Sequence, residues 1–217
     1  MPKIQLALDT LQWDHALELA QGAGRYVDIL EAGTPLIKSV GIKIVAALKE
    51  AHPEKLVLAD LKSSDVGAYE ANMAFQAGAD IVTTQGITTL ATIAEVQREA
   101  DQWHRRAEVD MTGVADPVAR SREVQKVGVT LVLYHRSIDE ELTEKALWDE
   151  RACTIVQSMC KLGLDVAIAG GVQLDVLQKL RRVPIYSIVI GRGITAQPNP
   201  AETAKMIRER VQELWPA

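Results

Sequence analysis

The chain has 217 residues, 47% hydrophobic and 24% charged, with a formal net charge of −5, a composition ordinary for a water-soluble globular protein. An acidic balance argues against nucleic acid as the main partner, since phosphate backbones need a basic face, but it leaves room for a small anionic ligand at a locally positive site. No apolar run approaches membrane-spanning length and the opening MPKIQLALD lacks the basic-then-apolar form of a secretion signal, so no membrane is expected and the cytoplasm is the expected compartment.

Short apolar runs rich in β-branched residues recur along the chain. IQLALD (4–9) leads into a helical pattern in HALELAQGA, and VDILEAG (27–33) into another in SVGIKIVAALKEAH. LVLADL (56–61) and DIVTTQG (80–86) follow, then TLATIAEVQREADQW with apolar residues at three- and four-residue spacing. AEVDMTG (107–113) and TLVLYH (130–135) precede the longest connector, Ile138 to Lys161, where more than one helical segment is expected. Its Cys153 and Cys160 lie seven apart, fit no metal-ligand spacing, and read as reduced, half-buried thiols. DVAIAGG (165–171) and SIVIGRG (187–193) complete the series. NPAETAKMIRERVQELW closes the chain as a helix capped by Asn199, with Pro200 at its first position and Glu202 in its first turn.

Near-continuous apolar runs, rather than alternating ones, belong to strands covered on both faces, as in a parallel sheet. Eight such runs alternating with helices, without a Gly- or Ser-rich linker, predict one α/β domain over residues 1–217: a (β/α)8 TIM barrel. An open doubly wound sheet is the alternative, but no GxGxxG turn follows the first strand.

In such barrels the chemistry gathers at the C-terminal strand ends. Those ends carry Asp9, Glu31, Asp60 with Lys62, Thr84, Asp110, His135, Gly170–Gly171 and Gly191–Arg192. Any one alone reads as a loop residue or a helix cap. Together they bring like charges onto one rim, which is costly unless a cation or a substrate compensates. Glu31 and Asp60, on neighbouring strands, offer hard oxygen ligands for a divalent ion, with Mg2+ the natural candidate, and no Cys/His cluster supports zinc. The AGG and GRG turns let backbone N–H groups approach an anion, the helix start after them adds partial positive charge, and Arg192 adds a permanent one. Phosphate is the expected anion there.

The segments LALD, EAGTPLI, ADLKSSD, VDMTG, YHRS, AGG and GRGIT resemble the orotidine-phosphate-decarboxylase-like barrels, specifically their 3-keto-L-gulonate-6-phosphate decarboxylase and hexulose-6-phosphate synthase branch. The resemblance runs from Lys3 to Trp215 and its Asp-x-Lys-x-x-Asp motif, Asp60–Lys62–Asp65, is specific. It implies Glu31 and Asp60 as Mg2+ ligands and Lys62 as the group that stabilises an enediolate. It implies that Asp65 reaches into a neighbouring subunit's site, which makes the active unit a homodimer with shared sites. Asp9 would bind substrate hydroxyls, Asp110 and His135 would take part in proton transfer, and Gly171, Gly191 and Arg192 would hold the phosphate of a phosphorylated sugar.

Two activities are implied. The decarboxylase loses CO2 from a β-keto acid and protonates the resulting 1,2-enediolate of L-xylulose 5-phosphate. The synthase removes a proton from D-ribulose 5-phosphate and adds the enediolate to formaldehyde. YHRS, GRGIT, Trp148 and the final ELW resemble the decarboxylase, whereas EAGTPLIK, ADLK, Asp110 in place of Glu and Ala169 in place of Thr resemble the synthase. Ile138 stands where decarboxylases carry an arginine. The decarboxylase is the preferred expectation, with the synthase as its alternative and a non-catalytic sugar-phosphate-binding barrel as a third reading.

Overall fold

The computed structural model describes residues 1–139, 148–172, 174–181 and 183–216. Strands β1 (Lys3–Leu8), β2 (Ile29–Ala32), β3 (Leu56–Ser63), β4 (Ile81–Gln85), β5 (Arg106–Asp110), β6 (Leu131–His135), β7 (Asp165–Ala169) and β8 (Ser187–Ile190) pair side by side in chain order. All pairings are parallel, and β8 closes on β1 through the register Lys3↔Ser187 to Leu6↔Ile190. All eight strands fall where the apolar runs place them, in the expected closed (β/α)8 barrel.

Around the strands run helices α1 (Trp13–Ala23), α2 (Thr34–Val40), α3 (Lys43–Ala51), α4 (Gly67–Gln76) and α5 (Leu90–Gln102). They continue as α6 (Pro117–Gln125), α7 (Glu150–Cys160), α8 (Leu174–Leu180), the single turn α9 (Arg192–Thr195) and α10 (Pro200–Leu214). Outward strand residues such as Leu6, Leu30, Val57, Val82, Val109, Val132, Ile168 and Ile188 form one continuous core with the helices' inner faces, which hold Ala16, Ile44, Phe75, Ile93, Val124, Val156, Leu177 and Ile207. Burial of that surface at about 25 cal/mol per Å2 is what makes the closed form stable.

SVGIKIVAALKEAH is two helices. Gly41, at φ +83°, ends α2 with its N–H donated to the Ile37 carbonyl, and α3 starts two residues later. Only glycine adopts that left-handed backbone without strain. The last helix is capped as expected, the Asn199 side chain accepting from the Glu202 N–H. Cys153 and Cys160 are free and half-buried, with burial pushing the Cys160 thiol up to about 11. The middle of the Ile138–Lys161 connector lies outside the described residues. Among the described residues no helix is long and apolar enough to cross a membrane.

Inside the barrel the layers differ. Ile29, Leu58, Ile81 and Leu131 fill the middle. Above them, β1, β6, β7 and β8 contribute Ala7, Leu133, Ala167, Ala169 and Val189. Three of those five side chains are alanines, so the barrel is open at its C-terminal end. Polar side chains from β2, β3, β4 and β5 line the opposite wall.

Candidate active site

The opening is a cavity of about 540 Å3 lined by Asp9, Glu31, Asp60, Lys62, Thr83, Glu108, His135, Gly171, Gly191 and Arg192 among others. It lies at the mouth where the expected residues end their strands.

The β3 end carries the unusual backbone. Register with β4 runs Leu58↔Ile81 and Ala59↔Val82, then jumps to Ser63↔Thr84, so β3 bulges over Asp60–Lys62. Lys62 sits within the bulge at φ +49°, a conformation that a side chain bearing a Cβ adopts only at a cost. The bulge re-aims the chain, and Asp60 and Lys62 both face the cavity. Thr83 holds it in place: its hydroxyl accepts the Lys62 N–H at 2.9 Å and donates to Asp60 Oδ1 at 2.7 Å.

Lys62 Nζ lies 2.9 Å from Asp60 Oδ1, 2.7 Å from Asp60 Oδ2 and 2.9 Å from Asp110 Oδ2. Burial alone would lower its pKa, but the two carboxylates outweigh that and raise it, so Lys62 is an ammonium at any physiological pH. Thr34 donates its hydroxyl to Asp60 Oδ2 at 2.7 Å. Asp110 also meets the His135 Nδ1 at 2.9 Å and accepts from the Thr112 N–H and hydroxyl. Burial works against an ionised Asp110, but the bond and charge of His135, with Lys62 and Thr112, hold its carboxyl well below the usual range. An ionised Asp110 beside Nδ1 fixes the proton there and leaves Nε2 as the basic nitrogen.

Asp9 and Glu31 complete the acidic wall. Burial, then Asp60 and Asp9, push Glu31 well above the usual carboxylate range, although Gln5 donates to its Oε2 at 2.7 Å. Burial and Asp60 likewise raise Asp9, with Lys62, His135 and Arg192 opposing. Asp9 and Glu31, each raised by burial and by the carboxyls beside it, offer hard oxygen donors of the kind a divalent cation takes. Glu31 and Asp60 fit such an ion as a two-carboxylate site that leaves its other positions to water or ligand. Among the described residues no group of three His, Cys, Asp or Glu side chains forms a full protein cage.

Opposite, Gly170 at φ +97° and Gly171 at φ +61° turn the chain after β7. A Cβ on Gly170 would overlap the Arg136 carbonyl oxygen. Trp148, buried, donates its Nε1–H to the Gly170 carbonyl at 2.6 Å and packs edge-on to Tyr134, pinning this turn. After β8 the expected helix start is the one turn α9, whose Ile194 and Thr195 N–H groups bond back to the Gly191 carbonyl. It is too short for a useful dipole, so the helix-start charge expected after β8 is not supplied there, while Arg192, Gly171 and Gly191 line the cavity. Asp65 stands apart. It is exposed, outside the cavity, and its carboxylate accepts the N–H of Val66.

The strand-end reading picked Thr84, which the structure turns away: it is fully buried and donates to the Ser63 carbonyl. Thr83 faces the cavity instead. Glu108, Gln5, Thr34 and Arg136 were also missed. Glu108 and Gln5 share strand parity with Asp110 and Asp9, which is the signal that could have found them.

Comparison with known proteins fits this geometry. The family profile described as "Orotidine 5'-phosphate decarboxylase / HUMPS family" matches residues 2–207. The chain is 36% identical to 3-hexulose-6-phosphate synthase of Mycobacterium gastri, over 96% of this chain and 99% of that protein. It is 31% identical to a 3-keto-L-gulonate-6-phosphate decarboxylase of Escherichia coli, over 99% of each. A ligand-bound crystal structure of KGPDC from Streptococcus mutans superposes with a TM-score of 0.94 at 28% identity, covering 99% of both chains.

Proposed function

The chain belongs to the orotidine 5′-phosphate decarboxylase / HUMPS family, and within it we propose a carbon–carbon lyase that works through the enediolate of a ketopentose 5-phosphate, foremost as a hexulose-6-phosphate synthase. The expectation from sequence preferred decarboxylation. Two observations move the preference: the synthases are the more similar relatives, at 36% against 31% identity, and Ile138, half-exposed, lines the cavity rim. An apolar side chain there cannot order a proton-delivering water, which decarboxylation needs and aldol addition does not. The His135–Asp110–Lys62 array carries the proposal itself, because it sets a base beside an ammonium in one cavity.

In this proposal Arg192 and the backbones of Gly171 and Gly191 hold the phosphate of D-ribulose 5-phosphate, and Asp9 binds a substrate hydroxyl. His135 Nε2 takes the proton from C1, with Asp110 stabilising the imidazolium. The electron pair left behind forms the enediolate, whose negative charge faces the Lys62 ammonium. C1 then attacks formaldehyde, a C–C bond forms as the C=O π pair moves to oxygen, and that oxygen takes back the proton held by His135 to give the hexulose 6-phosphate. Glu31 and Asp60 would hold Mg2+, which when bound supplies further positive charge for the enediolate oxygens.

We further propose that the working unit is a homodimer. Val66, Tyr69 and Met73 on α4 and its entry, with Ile87 nearby in chain order after β4, expose large apolar side chains, Tyr69 to 77%. Asp65 borders this face and lies outside its own cavity, as a residue donated to a second subunit would.

Decarboxylation of 3-keto-L-gulonate 6-phosphate is the second reading, favoured by the buried Trp148 that pins Gly170 and by the His135–Arg136–Ser137 segment at the rim. NMR tests the shared step: in D2O with Mg2+, the enzyme should exchange the C1 proton of D-ribulose 5-phosphate without formaldehyde. Absence of exchange refutes the synthase proposal.

A further inference from the structure

Glu108 is the buried titratable group that the steps above do not use. Its residue is 1% exposed, it lines the cavity, and among the described residues neither carboxyl oxygen has a hydrogen-bond partner. It lies two residues before Asp110 on β5, hence on the same inner face. Fully buried polar atoms are almost always satisfied, and an unpaired charge there is more costly still.

The groups around it explain its state. On its own strand are Asp110 above and Arg106 below; β3 across the wall presents Asp60 and Lys62. Neighbouring β4 presents Ile81 and Thr83, and β6 presents Leu131, Leu133 and His135. The ammonium among them, Lys62, is already committed to Asp60 and Asp110. A third carboxylate here would have no cation of its own. Burial, then Asp110 and Asp60, push Glu108 up to about 8, with Lys62 and Arg106 opposing only in part.

We propose that Glu108 serves the site as an uncharged carboxylic acid, a hydrogen-bond donor set into the cavity floor whose ionisation weakens binding of an anionic, oxygen-rich ligand. A neutral carboxyl carries one O–H donor and an acceptor. Its donor is the one that Lys62 cannot spare, and it faces a cavity whose other inner wall is carboxylate. The ligand class rests on the sugar-phosphate reading above; the charge state does not.

Two measurements on the whole protein test this. Infrared difference spectra between wild type and Glu108→Gln isolate the Glu108 carboxyl: a protonated band should be present at about pH 6.5 and vanish with a midpoint near pH 8. A midpoint near the ordinary glutamate value overturns the proposal. Glu108→Met, which places an apolar side chain of similar length there, gives a second reference for the same band, so the result does not rest on how one variant folds. Calorimetry with D-ribulose 5-phosphate then reads binding. Wild-type affinity should fall up to about tenfold per pH unit above about pH 8, whereas Glu108→Gln should bind a few-fold more weakly near neutrality and lack that alkaline limb. The same limb in both proteins overturns the binding role. Absence of binding at every pH overturns the sugar-phosphate reading and the binding role with it, while the spectra still decide the charge state.

Discussion

Replacing Lys62 by alanine should damage the fold as well as the chemistry, and the two effects can be separated. The ammonium lies within 2.9 Å of both Asp60 and Asp110, whose side chains are 8% and 1% exposed. Removing it leaves two buried carboxylates with their hydrogen bonds from Thr34, Thr83, Thr112 and His135 but without their ammonium, and with Glu31 and Asp9 beside them. Breaking a buried pair from one side costs about 3–5 kcal/mol, and the partial exposure of Lys62 places the value near the lower end. For a chain of this size that corresponds to a fall of about 6–12 °C in melting temperature. The pH dependence gives the sign. Lys62 is raised in the folded state, so its contribution in wild type is constant through the neutral range and is lost only above about pH 10. In Lys62→Ala the freed carboxyls bind protons more readily when folded than unfolded, so the variant should fall further behind wild type as pH rises from about 4 to 7. Denaturant unfolding at several pH values measures this. Turnover should drop by about 100- to 1,000-fold or more, by analogy with removing one oxyanion donor. A variant as stable as wild type at every pH would show that Lys62 does not balance these acids. One that keeps more than about a tenth of turnover would show that it does not stabilise the transition state.

Activity should require a divalent cation, so exhaustive chelation should abolish turnover and Mg2+ restore it; full activity after chelation would remove Glu31 and Asp60 from that role. Mixing inactive Lys62→Ala with inactive Asp65→Asn under subunit exchange should recover activity, since one site of each hybrid would receive both native residues, whereas a dead mixture with exchange verified would count against shared sites. Ile138→Arg should raise decarboxylation of 3-keto-L-gulonate 6-phosphate and lower formaldehyde addition; unchanged ratios would show that the rim position does not control protonation.

The barrel was legible because each strand is buried on both faces, so that LVLADL and DVAIAGG stand out as apolar runs that no loop would carry. The acids at the strand ends were legible for the same reason, as polar residues closing apolar runs. What local pattern could not show is how the backbone turns at those ends. In DIVTTQG either threonine could face inward, and the alternation of β4, with Ile81 inside the barrel, decides for Thr83. Nothing in ADLKSS announces a left-handed lysine, since the bulge is imposed by pairing with β4. Gly41 was visible as a glycine, but its neighbours carry helical periodicity on both sides and hid the break. Glu108 stands in plain alternation with Asp110 inside AEVDMTG, but the cost of an acid one layer down shows only once the barrel closes around it.

The most direct measurement offers the purified protein, with Mg2+, either D-ribulose 5-phosphate plus formaldehyde or 3-keto-L-gulonate 6-phosphate, and follows hexulose 6-phosphate formation and CO2 release side by side. The proposal predicts efficient condensation with formaldehyde and, at most, slow decarboxylation. Rapid CO2 release without condensation would make the chain a decarboxylase, and the absence of both would contradict enediolate chemistry in this cavity.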